Sequence, residues 1–174
     1  SPGAPNVPGT PTPTATATRT PTLTPTLTPT PPIGVISLSE FLPAPQDVDW
    51  DGDGQANSDD EWIELYNRAD FPVDLSGWQL DDVAEASGAA AAPLGSRPYV
   101  IPAGTIIPAG GYRLFFHKET GLILNNDDDW VRLLYPGGAL AEEVSYKNPP
   151  GDRSYSKTAA GAWTTAYPPS PGQP

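Results

Sequence analysis

The stretch Glu61-Trp62-Ile63-Glu64-Leu65-Tyr66-Asn67 sets the architecture of this chain. Side chains of a strand point alternately to opposite faces, so Trp62, Glu64 and Tyr66 share one face and Ile63 and Leu65 the other. Its aromatic and β-branched content suits a strand and no helical repeat runs through it. On its amino-terminal side, Val35–Leu42 alternates well enough for a half-buried strand and is stopped by Pro43. Further strand candidates are Val73–Leu75, Gly77–Asp82, Tyr99–Ile101, Tyr112–His117, Trp130–Tyr135, Leu140–Tyr146 and Ala162–Thr165. Turn residues separate them, as in Ala109-Gly110-Gly111, Pro136-Gly137-Gly138 and Pro149-Pro150-Gly151. No window sustains a 3.6-residue apolar period. Residues 84–92 are Ala-rich, but Gly88 and Pro93 interrupt the region, which reads as a loop with one helical turn at most. Seven to nine short strands with frequent turns predict an all-β fold, a β-sandwich.

The amino-terminal region has a different chemistry. Thr10, Thr12, Thr14, Thr16, Thr18, Thr20, Thr22, Thr24, Thr26, Thr28 and Thr30 occupy every even position, interleaved with Pro, Ala, Leu and Arg19. Only Val7, Leu23 and Leu27 offer sizeable apolar side chains, so residues 1–32 cannot build a core. Proline at 11, 13, 21, 25, 29, 31 and 32 disfavours helix and central strand alike. The expectation is an extended arm carrying O-linked glycans on the threonines, the composition of glycosylated stalks. A bare linker is the alternative. As a polyproline-II helix, residues 7–32 would reach about 75–80 Å, and in that form successive threonines rotate through three faces, whereas a flat strand puts all eleven on one. No Asn-x-Ser/Thr sequon occurs, so any glycan is O-linked.

Charge and composition narrow the function. The net charge is −12; all 21 carboxylates lie in the body beyond residue 32, which argues against nucleic acid as a partner. There is no cysteine, so neither a disulfide nor a thiolate metal site can form. No segment is apolar enough for a membrane span. The absence of a signal peptide and the Ser-Pro start read as an excised piece of something larger. Ser-Pro-Gly-x-Pro occurs twice, as Ser1-Pro2-Gly3-Ala4-Pro5 and as Ser170-Pro171-Gly172-Gln173-Pro174. One reading makes Ser1–Asn6 the tail end of a preceding copy of the same module; chance in a Pro/Gly-rich chain is the other. The organisation expected is an arm over 1–32, a sandwich over 33–168 and a Pro/Gly-rich tail over 169–174.

Several segments in this order resemble the lamin-tail domain of bacterial secreted and surface proteins: Ile36–Pro43, Glu61–Asn67, Val73–Asp82, Ile101–Thr105, Gly111-Tyr112, Thr120–Leu122, Val131–Leu134 and Val144–Tyr146. The resemblance implies an immunoglobulin-like β-sandwich and no shared catalytic site. Its bacterial members are accessory modules of surface or secreted proteins, so an extracellular or cell-surface location is expected.

One loop carries sharp chemistry. In Asp49-Trp50-Asp51-Gly52-Asp53-Gly54-Gln55-Ala56-Asn57-Ser58-Asp59-Asp60, Asp stands at positions 1, 3 and 5, Gly at 6 and a carboxylate at 12. This is the calcium-loop pattern, in which hard oxygen donors at alternate positions wrap one cation. The expected ligands are Asp49, Asp51, Asp53, the Gln55 carbonyl, Asn57 directly or through water, and Asp60, holding a structural Ca²⁺. The loop is also similar to dockerin calcium loops. It departs from the pattern at Ala56, where a larger apolar residue usually anchors the loop, and a strand instead of a helix comes next. A solvated acidic loop is the alternative, although seven carboxylates within Asp47–Glu61 would then repel one another. The second acidic run, Asn125–Asp129, fits no cation pattern and reads as a solvated turn. His117 is the only histidine and cannot build a zinc centre alone. Glu40 and Glu64 are the carboxylate pair nearest to a hydrolase constellation, yet a structural role in the strand suffices for Glu64. No enzyme is expected.

Two functions are compatible with these features. The first is a structural module of an extracellular fibre or surface layer, with a calcium-braced sandwich and a glycan-bearing arm contacting neighbouring copies. The second is a carbohydrate- or protein-binding accessory module of a secreted hydrolase or adhesin, with Trp50, Trp130 and Trp163 as a ligand platform and the arm as a spacer.

Overall fold

Alternating apolar residues need a partner face, and here two antiparallel sheets supply one to each other. In the computed structural model, the described residues are Gly3, 34–82 and 97–174; the threonine arm and residues 84–92 lie outside them. The first sheet has the order β11-β10-β1-β2-β7, formed by β1 (Ile36–Leu42), β2 (Trp62–Asn67), β7 (Tyr112–Phe116), β10 (Tyr155–Lys157) and β11 (Trp163–Thr164). The second has the order β5-β4-β8-β9, from β4 (Gln79–Asp81), β5 (Tyr99–Val100), β8 (Asp128–Leu134) and β9 (Leu140–Lys147). A short ribbon pairs β3 (Val73–Asp74) with β6 (Ile106–Ile107). Seven of these strands span three residues or more, and four are two-residue pairings. The all-β sandwich expected from the alternation is the fold observed. The one α-helical turn among the described residues, α1 (His117–Thr120), is closed by Gly121 at φ 68°.

Ile36, Leu38 and Phe41 of β1, Ile63 and Leu65 of β2 and Phe115 of β7 face Leu80, Val131, Leu133, Val144 and Tyr146 across the core. Phe41 is its aromatic hub, with ring centroids 5.0 Å from Tyr155, 5.3 Å from Trp163 and 5.4 Å from Tyr146. The inward residues of β1 change parity between Leu38 and Phe41. A β-bulge between Leu38 and Glu40 absorbs the two consecutive polar residues Ser39 and Glu40. The Leu38 amide at the bulge donates to Glu142 of β9 at 3.0 Å.

Asn67, at the end of β2, is fully buried. Its Nδ2 donates to the carbonyls of Phe71 (2.8 Å), Pro108 (2.9 Å) and Ile107 (3.1 Å), and its Oδ1 accepts from the Ala69 amide at 2.9 Å. One amide side chain thus ties the loop after β2 to the loop after β6.

The outer face of the first sheet is also covered. Glu40 and Glu64 stand directly opposite each other on β1 and β2, exposed by only 2% and 1%. Ser170 and Gly172 lie against them through hydrogen bonds.

Candidate metal centre and the buried carboxylates

The acidic loop joins β1 to β2. Short Asp side chains readily accept bonds from backbone amides a few residues on, and the loop is built from such bonds. Asp49 Oδ1 accepts from the amides of Gly52 (2.7 Å) and Asp53 (3.2 Å), and its Oδ2 accepts from Gly54 (2.8 Å). Asp51 accepts from Asp53 at 2.9 Å, and Asp53 from Gln55 at 2.8 Å. Gly54 takes φ 93°, a backbone shape other residues rarely adopt. The loop closes in a 3₁₀ turn, Ser58–Asp60, so the chain does not pass straight from loop to strand. Asn57 caps this turn by accepting from the Asp59 amide at 2.6 Å.

Asp49, Asp51 and Asp53 converge, with one carboxylate oxygen from each within 4.8 Å of the others. The remaining three expected ligands are engaged differently. Asp60 is fully buried; its Oδ1 accepts from the amides of Trp50 (2.6 Å) and Asp51 (2.8 Å), and its Oδ2 from Asn57 (2.8 Å). Asn57 uses its side-chain oxygen for the cap, and the Gln55 carbonyl meets the Asn57 side-chain amide at 3.5 Å. Three hard carboxylates in this arrangement fit a divalent cation that prefers oxygen, with half of a usual calcium shell. The Lys118 Nζ, reaching from α1, lies 2.7 Å from Asp51 Oδ2. That ammonium holds the Asp51 carboxyl below its ordinary value and supplies positive charge at the same place a cation would. Sequence reasoning did not assign Lys118, because it lies 67 positions beyond Asp51.

His117 Nδ1 is 2.7 Å from the Leu122 carbonyl, which can only accept, so this nitrogen carries the proton. The histidine thus closes its own helical turn. Beside it, burial raises Glu61 to about 7, helped by the charges of Asp129, Asp82 and Asp59 and opposed by a 2.8 Å bond from the Leu124 amide. The second acidic run is not simply solvated: Asp128 and Asp129 open β8, and Asp129 Oδ2 accepts from the backbone and side-chain nitrogens of Asn125 at 3.0 and 2.7 Å. Asn125, Asp128, Asp129, Trp130, Tyr146 and Lys147 line an open cleft of about 590 Å³.

The other polar cluster is the Glu40–Glu64 pair. Glu40 Oε1 accepts from the hydroxyl of Ser154, from that of Ser156 at 3.0 Å and from the Ser170 amide at 3.1 Å. Its Oε2 accepts from the Ser170 hydroxyl at 3.0 Å. Glu64 accepts from the Ser39 hydroxyl and from the Gly172 amide, both at 2.6 Å. Burial raises the Glu64 carboxyl to about 6, with the Glu40 charge adding to the shift and the Ser39 and Gly172 bonds opposing it. All of these partners are donors from the chain itself, a structural arrangement.

Two antiparallel sheets packed through an apolar core, with strand connections that leave charged chemistry on loops and one outer face, define an immunoglobulin-like sandwich. The lamin tail domain family matches residues 29–148, and the chain belongs to that family. The family is one of immunoglobulin-like, non-catalytic domains, which makes this chain a structural or interaction module. The match ends before β10 and β11, so those strands and the segment covering Glu40 and Glu64 lie outside the matched residues. No curated protein matches the chain significantly. No described helix is long and apolar enough to cross a membrane.

Proposed function

We propose that the chain is a non-enzymatic structural module of an extracellular bacterial surface fibre or layer. In this reading a Ca²⁺ ion held by Asp49, Asp51 and Asp53 braces the connection between β1 and β2. O-glycosylated threonines from Thr10 to Thr30 coat an extended arm that contacts neighbouring copies. The observation that carries the reading is the convergence of three loop carboxylates within 4.8 Å on a sandwich of a structural or interaction family. Bound calcium would fix a loop that otherwise holds its charge apart with a single lysine. Imaging of native material tests the whole: a regular filament with one such sandwich per helical repeat is expected. A purified, monodisperse monomer that binds polysaccharide would sink it.

The accessory-module reading has one observation in its favour, the cleft in which Trp130 stands beside Asn125, Asp128 and Lys147. Trp50, Trp130 and Trp163 are each half-buried, and Trp163 is engaged with Phe41 in the core. A glycan array probed with the protein and with Trp130→Ala tests the carbohydrate-binding form of this second reading; no glycan retained by the native protein ends that form.

A further inference from the structure

Two carboxylates facing each other across neighbouring strands repel, and burying them demands donors on every side. The sheet itself supplies Ser39 to Glu64, and Ser154 and Ser156 to Glu40. The rest comes from one short turn. The Gln173 amide donates to the Ser170 carbonyl at 3.0 Å, Pro171 occupies the second position and Gly172 the third at φ 78°, the signature of a type II turn. Proline has no amide, so the turn offers the Ser170 amide and hydroxyl and the Gly172 amide, and all three point at the carboxylates. The needed chemistry is therefore serine, proline and glycine in that order. The fourth position, Gln173, is exposed and free to vary.

The chain contains that string a second time, as Ser1-Pro2-Gly3-Ala4-Pro5, and it differs from Ser170–Pro174 only at the fourth position. Gly3 is exposed, with open space where a Cβ would stand. Beyond the carboxylates the outer face continues as a groove of about 810 Å³. It is lined by Tyr66, Arg68, Tyr112 and Lys157, with Pro174 at its edge. Tyr66 and Tyr112 stack with centroids 4.6 Å apart, a flat aromatic surface of the kind that proline-rich extended segments lie on. Pro5 is succeeded by Asn6-Val7-Pro8 and then by the Thr/Pro arm. A docked Ser1–Pro5 would thus lead a proline-rich segment into that groove.

We propose that Glu40 and Glu64 form a receptor for Ser-Pro-Gly-x-Pro strings, and that Ser1–Pro5 of a second copy of this chain fills it in place of Ser170–Pro174. Each chain then carries one receptor and two strings, which lets copies join head to tail by exchange. The inference rests on the proposed assembly into a fibre or layer and names its contact; it requires neither calcium nor glycan.

The test is fluorescence anisotropy with a labelled peptide of residues 1–9 titrated against the full chain. The tethered Ser170–Pro174 competes at high effective concentration, so wild type binds weakly. Gly172→Val, which disfavours the positive φ of the turn, should bind the peptide at least tenfold tighter than wild type. Adding Glu40→Gln and Glu64→Gln should remove that gain, and a peptide with the first five residues permuted should not bind. Equal binding of the permuted peptide overturns the proposal, as does failure to bind a Gly172→Val chain that melts cooperatively. If that variant does not fold, Ser170→Ala is titrated in its place and the same outcomes decide. Native filaments that persist with Glu40→Gln and Glu64→Gln would leave the fibre reading standing and end this one.

Discussion

Replacing Asn67 by Asp changes one nitrogen to oxygen and nothing in volume, and the consequence can be worked out from four bonds. The Nδ2 group faces the carbonyls of Phe71, Pro108 and Ile107 at 2.8, 2.9 and 3.1 Å, all acceptors, in a site with no exposure. A carboxylate there would turn an acceptor toward three acceptors. Each buried group left unsatisfied costs about 1–3 kcal/mol, and an uncompensated buried charge raises the total to about 3–5 kcal/mol. For a unit of this size that lowers Tm by about 10–20 °C. The sign with pH is specific. The introduced carboxyl would have a folded-state pKa above its unfolded value, so the folded state binds the extra proton. The loss is then smallest below the unfolded pKa and grows as pH rises through the folded value. Asn67→Ala removes the same donors without a charge and should show a loss independent of pH. Urea denaturation of wild type and both variants from pH 4 to pH 8 is the assay. An Asn67→Asp loss under about 1 kcal/mol, or one that does not change with pH, would refute the role given to this side chain.

Three further outcomes are expected. Calcium should raise the melting temperature of chelator-treated protein, and Lys118→Gln, which removes the competing ammonium at Asp51, should tighten calcium binding about three- to tenfold in calorimetric titration; no binding at millimolar calcium ends the metal reading. Glu64 holds its proton up to about pH 6 when folded but only to its ordinary value when unfolded, so stability should fall as pH rises through that window, by at most about 1–2 kcal/mol. Glu64→Gln should flatten that part of the profile in thermal melts, and an unchanged slope counts against the burial of this carboxyl. Finally, the mass of this segment isolated from its native source should exceed the bare 18.3 kDa by whole sugar units, and chemical deglycosylation with trifluoromethanesulfonic acid, which spares the peptide, should lower it toward the bare value; a native mass already there removes the glycan reading.

Local alternation was enough to locate most of the sandwich. Nine of the strand segments observed lie where apolar and polar residues alternate between turn signals, and their ends moved by only a residue or two. Two were not legible. Ile106–Ile107 is too short to alternate, and Tyr155–Lys157 has a half-buried Ser156 between two half-buried neighbours, so neither shows a pattern until its partner strand is beside it. The parity change in β1 was hidden for a related reason, since a bulge is visible only against the register of the neighbouring strand. At the acidic loop the spacing of Asp49, Asp51 and Asp53 foretold their convergence, whereas the turning of Asp60 and Asn57 to backbone amides depended on where the 3₁₀ turn closes.

Periodicity is therefore a property of the sequence alone: which residues are strands, which face is apolar and where the turns fall. Those properties depend on neighbours within a few positions. Which polar residues are buried, and what answers them, was settled by tertiary contacts. Glu64 reads as one side of an ordinary half-exposed strand, yet it is sealed by Gly172, 108 positions away, and Glu40 by Ser170, 130 positions away. Asn67 joins two loops, and Lys118 comes to Asp51, through separations of comparable kind. A buried polar group must find donors or acceptors wherever the fold brings them, and no short window of sequence contains both partners.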